Sequence, residues 1–221
     1  GLRIEAADRL EDAEIVHDID NIDEEKLKNQ VEKFITTERP DVVIFEDYNK
    51  GILTKNIITN SISFCKKNNV PTAVDPKRKN FFSYQNATLF KPNLNEAITS
   101  LNLLPEEISV ELLADIHSQL KEKLDHEISL ITLSEKGIFY QENNDKNILP
   151  SHRRNIADVS GAGDTVIAVA SLIYAATKNI QLAAEIANIA GGIVCEEVGT
   201  VAINKEKLIG ECKKLISESE F

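Results

Sequence analysis

Two glycines and an acid fall within four residues, Gly161-Ala162-Gly163-Asp164, just before the apolar run Val166-Ile167-Ala168-Val169-Ala170-Ser171-Leu172-Ile173-Tyr174-Ala175-Ala176. Lacking Cβ atoms, Gly161 and Gly163 permit a sharp turn and let a ligand come close to backbone N–H groups. The first N–H groups of the helix that follows have no internal acceptor and lie at the positive end of its dipole. That arrangement suits an anion such as a phosphate. The Asp164 carboxylate sets a proton acceptor beside it. An acid in a first turn also stabilises a helix start by itself, so the local pattern supports both readings. The run behind it is apolar on nearly every face, which predicts a helix buried at the centre of a domain.

Phosphoryl transfer needs a base for the attacking hydroxyl, donors or cations on the moving phosphate, and usually Mg²⁺. Asp164 suits the base, and the amides of 161–164 suit the phosphate. Asn93 and Glu96, three residues apart, can hold Mg²⁺ through its water shell; the same pair can be a simple capping box at a helix start. Lys77-Arg78-Lys79 is a basic cluster in an acidic chain and reads as a phosphate contact or as a solvated loop. Tyr48 and Lys50 read likewise as contacts to a substrate phosphate or as ordinary loop residues. No Gly-x-x-x-x-Gly-Lys-Ser/Thr occurs, and 161–163 lack the third glycine of a dinucleotide fingerprint, which disfavours P-loop and Rossmann enzymes. His17, His117, His126 and His152 share no metal spacing.

These residues need elements to position them. The pattern predicts a short strand at 2–4, an acidic loop to Asp23, and a helix over 23–37 with Leu27, Val31, Phe34 and Ile35 at helical spacing. A continuous apolar strand follows at 41–45, then a helix over 54–68, a strand at 72–74 and an apolar segment at 88–90. Helices are expected over 94–101 and 109–125, strands at 129–133 and 137–140, and helices over 163–177, 180–196 and 205–218. Buried strands alternating with helices imply an α/β fold with a mostly parallel sheet covered on both faces, in one domain over 1–221. Ligands of such sheets gather beyond the carboxyl ends of the strands. The segments leaving those ends are 46–51, 75–79, 91–96, 134–137 and the stretch around Asp164.

The net charge of −11 repels nucleic acid and anionic lipid, so neither is an expected partner. No run of eighteen apolar residues and no signal-peptide pattern occurs. Cys65, Cys195 and Cys212 are odd in number and widely spaced, which fits free thiols and a cytoplasmic location.

Asp158 to Thr165, Lys91-Pro92-Asn93-Leu94-Asn95-Glu96 and Asn188-Ile189-Ala190-Gly191-Gly192 together resemble the ribokinase (PfkB) family of sugar and nucleoside kinases. Asp47-Tyr48-Asn49-Lys50-Gly51, Val74-Asp75-Pro76-Lys77 and Val198-Gly199-Thr200 look most like its kinase domains for D-glycero-D-manno-heptose 7-phosphate, which serve lipopolysaccharide core synthesis. The resemblance runs in order over nearly the whole chain. It implies a three-layer α/β/α ribokinase-like fold, ATP, Mg²⁺ and, in some members, K⁺. It makes Asp164 the catalytic base and Gly161, Ala162 and Gly163 the anion hole. Asn93 and Glu96 match the motif that organises Mg²⁺ and phosphate. Thr132, Ser134, Gly137 and Asn188 match positions around the nucleotide, which Lys77 joins. Asp158 and Ser160 match the K⁺ position, with Ser160 in place of the commoner Thr. Asp47, Tyr48 and Lys50 are expected to bind the sugar phosphate, and a homodimer is compatible with the pattern.

Against the family pattern, the amino-terminal strands and the Gly-Gly sugar-binding motif are missing ahead of Leu2-Arg3-Ile4, so the chain reads as N-terminally truncated. Three readings follow: a heptose 7-phosphate kinase, a kinase for fructose 1-phosphate or a nucleoside, and a nucleotide-binding module without turnover.

Overall fold

A computed structural model describes residues 21–104, 107–152 and 154–218. The expected strand at 2–4 and the acidic loop up to residue 20 lie outside those residues. Six strands form one sheet in the order β1 (Val43–Glu46), β2 (Thr72–Asp75), β3 (Leu89–Phe90), β4 (Ile128–Thr132), β5 (Ile138–Glu142) and β6 (Asp145–Leu149). The pairs β1–β2, β2–β3 and β3–β4 are parallel, whereas β5 runs antiparallel to both of its neighbours. The sheet is therefore mostly parallel, as its apolar strands predict.

Adjacent residues on each strand face opposite layers, as the two-residue side-chain period requires. Val74, Phe90, Ile131 and Phe139 pack with α2 (Lys55–Lys67), α3 (Leu94–Leu101) and α4 (Val110–Leu124). Ala73, Leu89, Leu130 and Ile138 pack on the other face with α5 (Ala162–Thr177) and α6 (Ile180–Val194), joined by Leu208 of α7 (Lys205–Glu218). The result is three layers, α/β/α. The remaining helix, α1 (Asn21–Glu38), leans on α2 through Ile35, Val31, Phe64 and Cys65.

Three expectations need correction. The strand β6 was not predicted, because Asp145-Lys146-Asn147-Ile148-Leu149 is polar over its first half; those residues are exposed there, and only pairing with β5 makes them a strand. The strand predicted at 41–45 is shifted to Val43–Glu46. And α5 is not buried all round. Val166, Ile167, Val169, Ala170 and Tyr174 face inward, but Ala168 and Leu172 face solvent, with Leu172 64% exposed. Its uniform apolarity hid an outward stripe.

Beside β1, the first strand of the described sheet, a cavity of about 740 Å³ runs between α1 and α2. Its walls are mostly apolar (Leu27, Val31, Phe34, Ile44, Ile57), and Glu46, Tyr48 and Lys50 stand among its lining residues. No helix among the described residues is long and apolar enough to cross a membrane.

Candidate active site

The carboxyl ends of β1, β2 and β3 and the first turn of α5 meet in one place. Gly161 caps α5 at φ +75°, a left-handed conformation that suits glycine, and a Cβ there would meet the Thr200 side chain at 2.8 Å. At Gly163 a Cβ would come to 3.6 Å from Lys91 Nζ and 3.8 Å from Asp75 Oδ2. The missing side chain thus leaves Lys91 close beneath the helix start. Lys91, 3% exposed, pairs with Asp75 Oδ2 at 3.2 Å. The Ala162 N–H already reaches Val159 O at 3.3 Å, but the Gly163 amide and a buried ammonium behind it fit a phosphate.

A chain of charges leads from there to the second motif. Asp75 Oδ1 lies 3.6 Å from Lys77 Nζ, which donates to Glu96 Oε1 at 3.0 Å. Burial works against the Lys77 charge, but Asp75 and Glu96 together outweigh it and hold the ammonium above the usual lysine range. Asn93 and Glu96 form the full capping box of α3: Asn93 Oδ1 accepts from the Glu96 N–H and Glu96 Oε2 from the Asn93 N–H, both at 2.8 Å. The local reading as a cap is correct. The box also fixes both side chains at the sheet edge, within one ion pair of Asp75. No group of three His, Cys, Asp or Glu among the described residues could hold a metal ion.

Asp164 lies in the first turn of α5, and its Oδ2 accepts a hydrogen bond from the Tyr48 hydroxyl at 2.6 Å. Glu46, at the end of β1, belongs to the same patch. Its carboxyl is raised, first by lost solvation and then by Asp164 and Asp75, with Lys91 pulling the other way. The Tyr48 hydroxyl is raised by lost solvation and by the hydrogen bond to Asp164.

Asp47 behaves differently from Tyr48. Its carboxylate turns inward, is 3% exposed, and accepts from Tyr84 Oη at 2.8 Å, Asn80 Nδ2 at 3.3 Å and the Asn49 N–H at 2.8 Å. It anchors the loop after β1. Lys50 follows Asn49, which has φ +55°, and stays exposed at the cavity rim.

Of the residues matched to the nucleotide, Lys77 stays with Asp75 and Glu96, while Thr132, Ser134, Gly137 and Asn188 lie on β4, the turn after it and α6. Thr132 ends β4, its N–H bonds Pro92 O at 3.2 Å, and it bridges Asn93 in parallel. Ser134 has φ +55° and opens a short 3₁₀ turn that Gly137 closes at φ +100°. Asn188 on α6 donates to Pro150 O at 2.9 Å, tying the helix to the segment after β6. Asp158 Oδ1 accepts from the Ser160 N–H and hydroxyl at 2.9 and 2.8 Å, and its Oδ2 from the Gly199 N–H at 3.0 Å. The donors from Ser160 and Gly199 hold this carboxyl below the usual carboxylate range. Asp158 and Ser160 thereby join two loops around the start of α5.

Sequence reasoning assigned no role to Lys91, Asp75 or Glu46, although all three lie on segments leaving the strand ends. The available signal was a charged residue directly beside a fully apolar strand.

A profile of the pfkB family of carbohydrate kinases matches residues 41–207, and the chain belongs to that family. It is 36% identical over 195 residues to the bifunctional protein HldE of Sulfurimonas denitrificans, covering 87% of this chain and 39% of that protein. It is likewise 36% identical over 199 residues to HldE of Aliarcobacter butzleri, covering 89% and 40%. The chain thus spans about two fifths of the length of these relatives. Among solved structures, phosphofructokinase-2 from Escherichia coli in complex with potassium superimposes with a TM-score of 0.75 at 15% identity, covering 87% of this chain and 62% of that one. Ribokinase from Arabidopsis thaliana complexed with ribose and ATP gives 0.68 at 17% identity, covering 88% and 59%. These likenesses show the ribokinase-like fold.

Proposed function

We propose that this chain carries the phosphoryl-transfer end of an ATP-dependent sugar kinase whose acceptor is O1 of D-glycero-D-manno-heptose 7-phosphate, working in the cytoplasm. The observation that carries this reading is Asp164 next to Gly163, whose missing side chain opens the helix start onto the Lys91–Asp75 pair. The similarity to two HldE proteins supports the heptose as acceptor. In this mechanism Asp164 takes the proton from the acceptor hydroxyl as its oxygen bonds to the γ-phosphorus, and the bond from that phosphorus to the β-phosphate oxygen breaks. The amides of Gly161 and Gly163 meet the charge on the moving phosphoryl group, that of Ala162 joins them only by giving up Val159 O, and Lys91 reinforces them from beneath. Thr132, Ser134, Gly137, Asn188 and Lys77 hold the nucleotide end. Asn93 and Glu96 would hold the water shell of Mg²⁺, which would supply charge neutralisation at the phosphates. Asp158 and Ser160 are the side chains that would meet K⁺.

Calorimetry with ATP·Mg²⁺, together with ADP release on heptose 7-phosphate, fructose 1-phosphate and a nucleoside, tests this reading. A positioned base contributes roughly 10²- to 10⁴-fold, so Asp164→Asn should lose turnover by about that factor while still binding ATP. Turnover by Asp164→Asn near the wild-type rate removes the base from its role. ATP binding with no ADP release on any acceptor makes the chain a nucleotide-binding module instead.

A further inference from the structure

The contact between Tyr48 and Asp164 joins residues 116 apart in sequence, and its 2.6 Å length is that of a charge-assisted bond. Tyr48 is 55% exposed although its hydroxyl is spoken for. The backbone around it is held firmly. The Asp47 N–H bonds Asp75 O at 3.1 Å, and the buried Asp47 carboxylate accepts from the Asn49 N–H on the other side. With the ring largely exposed, its hydroxyl can leave Asp164 by side-chain torsions alone, without moving the loop.

The charges facing Asp164 explain why a neutral donor sits there. Glu46 on β1 and Asp75 on β2 are both acidic, Lys91 is committed to Asp75, and Lys77 to Glu96 and Asp75. Among the described residues, the Tyr48 hydroxyl is the side-chain donor that reaches the Asp164 carboxylate. An O–H donated to that oxygen is also the geometry that an acceptor hydroxyl needs before it loses its proton.

Resting on the sugar-kinase reading above, we propose that Tyr48 is a displaceable stand-in for the acceptor hydroxyl. Its phenol keeps the base carboxylate aimed at the acceptor side of the site, and the sugar hydroxyl then replaces it on the same oxygen. Tyr48 is a positioning residue, and the phosphate contact expected of it from sequence is not its main part.

Tyr48→Phe removes only the hydroxyl. Because the phenol competes with the acceptor, the variant should show a KM for heptose 7-phosphate lower by roughly three- to tenfold, with kcat, set after the phenol has left the base, reduced by less than about tenfold. A kcat at least tenfold lower with unchanged KM would mean that the phenol stays on the base during the reaction, which overturns displacement. An unchanged pair of constants overturns it as well. A second readout does not depend on turnover: with ring-labelled tyrosine, the Tyr48 resonance in wild type should differ from that in Asp164→Asn. Coincident resonances overturn the proposal, while their separation with no ADP release in either protein sinks the kinase reading and leaves the contact standing.

Discussion

Lys91 and Asp75 form an ion pair 3.2 Å long, nearly closed to solvent, directly beneath Gly163. Two backbone bonds lock its frame, from Lys91 N–H to Val74 O and from Asp47 N–H to Asp75 O. The pair lies at the junction of the sheet and the helix whose amides would meet a phosphate. A buried pair of this kind adds little stability against an apolar replacement, so stability alone does not account for its place at this junction.

Removing one partner leaves the other buried and uncompensated. Lys91→Met should destabilise the protein by about 3 kcal/mol, because Lys77 at 3.6 Å shields Asp75 only partly. The double variant Lys91→Met/Asp75→Asn should regain much of that loss in urea unfolding and still bind ATP more weakly than wild type. A double variant with native ATP affinity would separate the pair from the phosphate.

Two glycines offer opposite outcomes for one substitution. A Cβ at Gly137 would lie 2.0 Å from Leu149 O, at φ +100°, so Gly137→Ala must force β6 away from the 3₁₀ turn and should cost about 2 kcal/mol or more. Gly210 in α7 has nothing within 4 Å of a built Cβ. Gly210→Ala should stabilise by roughly 0.5–1 kcal/mol, the ordinary helix preference for alanine. Thermal midpoints of the two variants should move in opposite directions.

The contrast shows which features a sequence displays. The strand–helix alternation was legible because buried parallel strands are continuous apolar runs, and α3, α4 and α7 carry plain helical periodicity. Gly161 and Asp164 were legible as a helix start, because a left-handed cap favours glycine and a first turn favours an acid. Tyr48 on Asp164 was not, since a partner 116 residues away leaves no trace in local spacing. Asp47 misled for a related reason: an acid on a loop at a sheet edge reads as a ligand contact until Tyr84 and Asn80 are seen to claim it. The polar β6 failed because its identity comes from its neighbour.

Arg154 ties α7 to the body of the domain. Its guanidinium forks to Glu196 at 3.1 Å and Glu211 at 2.6 Å, lies over Gly192, and is 9% exposed. Lys207 supports Glu196 from α7 at 3.0 Å. Arg154→Ala should leave Glu211 short of a partner, while Glu196 keeps Lys207, and should loosen α7. Amide exchange in residues 205–214 should accelerate at least tenfold, while α4 on the opposite layer stays protected. Equal protection of α7 in both proteins would show that its apolar contacts suffice.

The buried histidines give the fold a predictable acid limit. His117 Nδ1 lies 2.8 Å, and His126 Nε2 2.7 Å, from the same Ser129 hydroxyl. Burial, aided by Lys121 and Lys146, pushes His117 down to about 4. Burial, then His117 and Lys121, pushes His126 down to about 3. Both folded values lie below the ordinary 6.5, so the unfolded chain takes up these protons first. Their contribution to stability is therefore intact above pH 6.5 and is lost as pH falls toward the folded values. Each histidine should steepen the loss by about 1.4 kcal/mol per pH unit below 6.5. Urea midpoints measured between pH 7 and 5 should give a proton uptake on unfolding that His117→Gln reduces by about one. A slope indifferent to that change would mean that the pair is already charged in the folded protein.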